Sequence, residues 1–223
     1  MGAEAEKLMS KQQKLTNKTM KNTLLVLFIT IFCTKLSIAQ NISNPKNPYD
    51  MIGMGHNDAL NFVKAKSNFK DPSGFVKTIS EFLLTKFPKN EVEKYISSSK
   101  TNNAKKLSAF ENKTMAKVYE IIENGGSIET VTKKIIDLES MILVNKPQMP
   151  NGSFKTLLAA TSVARFSNYY WQNNNDVKLM AKPKWLKIIF ADIKGAINSE
   201  GGSTCETIGD AAEASCNAAS KTK

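Results

Sequence analysis

Between Tyr49 and Ile197 the apolar residues recur every three or four positions, and no clear alternating run appears. That period writes one apolar stripe onto each of a series of helices and leaves no strand from which to build a sheet. Breaks fall at Asp71-Pro72-Ser73-Gly74, at Pro88, at Asn124-Gly125-Gly126, across 145–152 with its two prolines, and at Asn173-Asn174-Asn175-Asp176. The expected class is all-α, a single irregular bundle of six to eight helices. The first helix reads as capped by Asn47, with Pro48 at N1 and Asp50 at N3, and it carries Tyr49, Ile52, Gly53, His56, Leu60 and Val63 on one face. A short third helix reads as capped by Asn90, a fourth as running over 103–123, and a fifth as capped by Ser127. The sixth, over 153–172, is rich in Ala, Ser and Thr. Small side chains let helices approach closely, so this one is expected at the centre. Pro183 opens the seventh, which ends near Asn198.

Residues 20–39 have a different character. Lys21 gives a basic start, residues 24–33 are an apolar run, and Ser37-Ile38-Ala39 places small residues before Gln40. This is the three-part plan of a cleaved export signal, and Lys35 closes the run well short of the ~20 residues a spanning helix needs. Residues 1–19 read as an extension upstream of the true start at Met20. The domain is then expected over 40–198, in the periplasm or outside the cell, and not as an integral membrane protein after cleavage. The whole chain has 31 Lys and Arg against 20 Asp and Glu; losing residues 1–39 leaves a net charge of +7. Arg165 is the only arginine, so the fork that reads guanine or clamps phosphate is nearly absent, and no specific nucleic-acid partner is expected. The lysine-dominated charge reads as a solvated surface, and an envelope protein or an anionic surface is the partner class left open.

Residues 199–223 form a polar tail rich in Gly and Ala, holding Cys205 and Cys216. After export the tail would sit where disulfides persist, so one bridge between them is expected. Eleven residues of continuous helix rise about 16 Å, beyond disulfide reach. The bridge therefore requires the chain to fold back, most simply at Gly209.

Chemistry centres on Asn47-Pro48-Tyr49-Asp50-x-x-Gly53-x-x-His56-Asn57, which contains the only histidine. His56 lies on the apolar stripe one turn from Gly53 and reads first as a packed structural residue. The functional alternative is a catalytic pair with Asp50, because histidine is the commonest general base and a carboxylate can fix its tautomer. Six positions separate the two, so only tertiary folding could join them. Asn47, Tyr49 and Asn57 are candidate binding residues. The motif resembles one near the mature start of a group of small exported proteins of Gram-negative bacteria. Ala191-Asp192-Ile193-Lys194-Gly195-Ala196 resembles a later element of the same group, and the resemblance implies no activity. Arg165 and Asp192 are candidate binding residues too. Arg165, in apolar surroundings, needs a carboxylate, for which Asp192 or Asp50 would serve, and an anion site is the alternative to such a structural pair. One His and two distant Cys do not make a zinc spacing, and no P-loop, dinucleotide fingerprint or nucleophile elbow is present, so neither metal nor cofactor is expected. Three classes of function remain: a small helical binding protein of the envelope, a hydrolase or lyase using His56 with an acid, and a secreted membrane-active or toxin-like protein.

The exported species should begin at Gln40. Intact mass of material recovered outside the cytoplasm measures this, and a start at Met1 or Met20 contradicts it.

Overall fold

A computed structural model describes residues 42–99, 105–150, 152–173, 182–199 and 202–222, without the side chains of 182 and 183. Residues 20–39, the upstream extension, Cys33 and the Ala39-Gln40 junction lie outside the described residues. Met1–Ser43 and Asn44–Lys223 are separate units, and every helix of the bundle belongs to the second.

Among the described residues there are eight α-helices and no strand, as the period requires. They are α1 (Asp50–Ser67), α2 (Phe75–Leu83), α3 (Lys89–Ser98), α4 (Ala109–Asn124), α5 (Ile128–Val144), α6 (Ser153–Asn173), α7 (Lys182–Asn198) and α8 (Thr204–Ser220). Four of them make a ring in which α1 packs on α6, α6 on α7, α7 on α8 and α8 back on α1. The pair α4 and α5 covers the outside of α6, and α2 with α3 covers the outside of α8. Two helices are therefore covered along most of their length. On α6 every residue from Thr156 to Asn168 is buried, which fits the central place expected of a small-residue helix. On α8 no residue is exposed.

Local chemistry sets several boundaries. The fourth helix begins at Ala109, not near 103. Ser108 accepts from the Glu111 N–H while the Glu111 carboxylate accepts from the Ser108 N–H, a capping box that fixes the start. Ser127 caps α5 as expected, through the Thr130 N–H. Lys89 opens α3 one residue ahead of Asn90, with Pro88 in the capping place. Asn47 does not cap α1 in the ordinary way. Its Oδ1 accepts from the Tyr49 N–H, turning the chain so that the helix starts at Asp50.

The tail departs most from expectation. Ser203 and Glu206 form a second capping box, and α8 then runs uninterrupted through Gly209. Cys205 and Cys216 are both free, buried thiols on this one helix, so the expected bridge does not form. The chain does not reverse at Gly209. That glycine instead admits the Tyr95 ring of α3, whose nearest atoms would lie 2.5 Å from a Cβ at that position. Helix propensity and burial of the alanine face together outweigh a bend that one glycine permits but does not impose.

Close approach of α7 to α8 depends on Gly195. A Cβ there would stand 2.5 Å from the Asp210 carbonyl oxygen and 2.8 Å from the Ala211 Cα, both backbone atoms that cannot rotate away. Gly195→Ala should therefore destabilise the protein by about 2–3 kcal/mol in urea melts. A variant as stable as the parent would mean that α7 and α8 do not pack this closely.

Candidate functional site

Apart from Tyr49 and the two cysteines, the candidate residues divide into two buried polar centres, both facing α6. In the first, the Arg165 guanidinium on α6 donates from Nε to Glu139 Oε1 at 3.2 Å and from Nη2 to the same oxygen at 3.1 Å. Nη2 also pairs with Asp50 of α1. Arg165 and Glu139 have no solvent exposure. Two carboxylates against one guanidinium leave negative charge over, and amide donors meet it. Asn44 donates its side-chain amide to Glu139 Oε2 at 2.6 Å and its backbone N–H to Asp50 Oδ2 at 3.0 Å. Asn47 Nδ2 divides between Glu139 Oε1 and the Leu158 carbonyl, each at 2.9 Å. Ser162 completes the seam, donating to the Asp50 carbonyl at 2.9 Å and accepting from the Gly53 N–H at 3.2 Å. A Cβ on Gly53 would meet Ser162 and the Phe166 ring within 2.6 Å, so this position must stay bare for α1 to reach α6.

The second centre joins α1 to α7. Asn57 donates from Nδ2 to the Phe166 carbonyl at 2.9 Å, which leaves its Oδ1 to accept from His56 Nδ1 at 3.0 Å. This network assigns the Nδ1–H tautomer. The Nε2 lone pair then faces Asp192 Oδ2 at 3.6 Å, in contact but too long for a hydrogen bond. The same Asp192 oxygen accepts from Trp171 Nε1 at 3.1 Å and from Ser167 Oγ. Neither His56 nor Asp192 has any solvent exposure. Burial lowers His56 to about 4, against a smaller upward pull from Asn57. Burial pushes Asp192 up to about 7, although the bonds from Ser167 and Trp171 pull it down. The surroundings thus favour the neutral form of each group.

The fold decides the pairings that the sequence leaves open. Asp50 does not serve His56; it belongs to Arg165, and Asp192 takes the place beside the histidine. The candidate pair of His56 and Asp50 is therefore not brought together. Of Arg165's two expected acids, Asp50 is the partner and Asp192 is not. Tyr49 stands apart from both centres, packing edge-on against Phe154 with ring centroids 6.3 Å apart. The two motif segments do meet, at His56 and Asp192. Sequence reasoning misses Glu139, together with Asn44, Ser162, Ser167 and Trp171. A signal for Glu139 exists: it lies on the same face of α5 as Val131, Ile135, Leu138 and Ile142, where a carboxylate must have a buried partner. No group of three or more metal-ligating side chains is present among the described residues.

Compared with protein-family models, with curated proteins and with solved structures, the chain finds no match.

Opposite shifts give the His56–Asp192 pair a distinctive pH signature. A lowered histidine contributes stability that is present above its unfolded value of 6.5 and lost as pH falls through about 4. A raised aspartate contributes stability present below its unfolded value of 3.8 and lost as pH rises through about 7. Together the two nearly cancel between pH 4 and 7, because one proton is taken up over that range in either state. Separation should expose each slope. Relative to the parent, Asp192→Asn should lose about 3 kcal/mol from pH 7 to 4, and His56→Gln should lose a similar amount from pH 4 to 7. Urea melts across this range test it; slopes of the same sign in both variants would contradict the assignment.

Proposed function

We propose that this chain is a small exported helical binding protein of the cell envelope, with its polar motif residues holding helices together and not reacting with a substrate. The observation that carries this reading is the complete burial of His56, Arg165 and Asp192. A general base must reach the proton it removes, directly or through one water. His56 instead lies inside a ring of helices, its Nδ1 committed to Asn57 and its Nε2 turned to Asp192. The hydrolase or lyase reading needs an opening to that ring which these side chains do not have.

Support for binding lies on the surface. Met51 and Met54, one turn apart on α1, are each about half exposed, and Val144 at the end of α5 is 80% exposed. Methionine adapts its shape to a partner and suits such contact faces. Among the described residues no helix is long and apolar enough to cross a membrane. The acids of α8 also count against a membrane-active tail: Glu206 belongs to the capping box and Glu213 accepts from the Tyr95 hydroxyl at 3.3 Å.

Fractionation and complementation test the reading together. The chain should leave the cytoplasm, and a His56→Gln variant that still folds, though less stable at pH 7 than the parent, should complement a deletion strain as the parent does. Cytoplasmic retention would overturn the export reading. A folded variant that behaves like the deletion would return the histidine to catalysis.

A further inference from the structure

Helices α4 and α7 touch over a short stretch, with the Tyr119 and Phe190 rings edge to face at 4.8 Å. Beside that contact they part, and a half-open groove of about 400 Å³ lies between them. Its volume is within the range of small-molecule sites. Leu107, Met115, Tyr119 and Ile197 give it an apolar lining. Four polar residues also border it, and they are not equivalent. Lys105 is already ion-paired with Glu111 at 3.2 Å and bonded to Thr156 at 2.9 Å. Asn112 spends its amide nitrogen on the Leu107 and Ser108 carbonyls. Lys194 and Asn198 remain. They lie four positions apart on α7, hence one above the other on the same face, and Lys194 pairs with no carboxylate among the described residues.

We propose that this groove binds a free single-chain carboxylate amphiphile, a fatty-acid anion. The carboxylate sits at Lys194 and Asn198, and the hydrocarbon lies along the apolar lining toward Leu107. This rests on the reading of the chain as a binding protein and names its ligand class. One uncommitted ammonium matches one negative charge, and the neighbouring amide supplies a second donor. An extended peptide fits less well. Apart from Lys105 and Leu107, which precede α4, the lining lies on α4 and α7, whose backbone groups are bonded within the helices. Most of a peptide's own N–H and C=O groups would therefore be desolvated without partners. A hydrocarbon chain carries no such groups. A groove of about 400 Å³ suits a single hydrocarbon chain better than the paired chains of a bilayer lipid.

Calorimetric titration of the purified full chain with dodecanoate, below its micellar concentration, tests the proposal. Saturable one-to-one binding is expected, weakening about threefold to tenfold for each two carbons removed. Dodecyltrimethylammonium, with the same tail and opposite charge, should bind at least tenfold more weakly. Lys194→Glu should weaken dodecanoate roughly tenfold and reverse that preference. Ala116→Trp, at an exposed groove residue, should fill the trough and abolish binding while the melt stays unchanged. Absence of saturable dodecanoate binding, or indifference to both substitutions, would overturn it. So would co-sedimentation with phosphatidylglycerol vesicles without such binding, which would make this face a membrane contact. Each of those results leaves the export and complementation tests untouched, so the two readings fail separately.

Discussion

The position of Arg165 constrains everything around it. A guanidinium cannot shed its charge, so taking it fully out of water costs several kcal/mol unless acceptors surround it. The chain supplies Glu139 from α5 and Asp50 from α1, and then needs Asn44 and Asn47 to meet the extra negative charge. Three helices and the turn before the first are thereby held in one arrangement. Removing the guanidinium would leave two buried carboxylates facing each other without a counter-charge, an effect of about 3–5 kcal/mol. Hydrophobic packing alone would tolerate small slips of α1 along α6. Directed bonds between Ser162, Gly53 and the Asp50 carbonyl do not.

The second polar centre solves the same problem by the opposite route. Asp192 and His56 are both titratable, so burial disfavours their charged forms and leaves polarity to be met by hydrogen bonds. Ser167 and Trp171 satisfy the acid, and Asn57 fixes the imidazole. A permanent ion and a titratable pair thus lie along the same helix. The first joins α6 to its outer neighbour α5 and to α1, and the second reaches across the ring from α1 to α7. With both sealed inside, what remains for a partner is the outer surface, including the trough where α4 and α7 diverge.

Enclosing α6 and α8 has a geometric requirement, which is that neighbouring backbones come close. Alanine and serine provide most of this closeness, and glycine provides it where a methyl would strike backbone, at Gly53 and Gly195. The same logic explains α8. Its alanines, Cys205 and Cys216 are small apolar groups filling the space between α7, α1, α2 and α3. The two thiols behave as packing groups, with burial holding the Cys216 thiol well above its usual range.

Sequence by itself determined the helical class, because a 3.6-residue apolar period can be buried only as helices. It also determined most of their limits, through Ser127, the prolines and the glycine pair at 125–126. It marked which residues mattered: Asn47, Asp50, Gly53, His56 and Asn57 all face α6 or α7 as parts of the two centres. What it could not determine was who partners whom. Asp50 and Asp192 are equally good carboxylates for Arg165 or His56, and the choice depends on which helices lie side by side. The fate of the tail was likewise tertiary. Two cysteines and one glycine fit a bridge as well as a buried helix, and only the gap between α7 and α3 selects the helix. Local chemistry fixes what each segment can be, whereas partners many residues apart in the chain are fixed only when burial forces every polar group to find one.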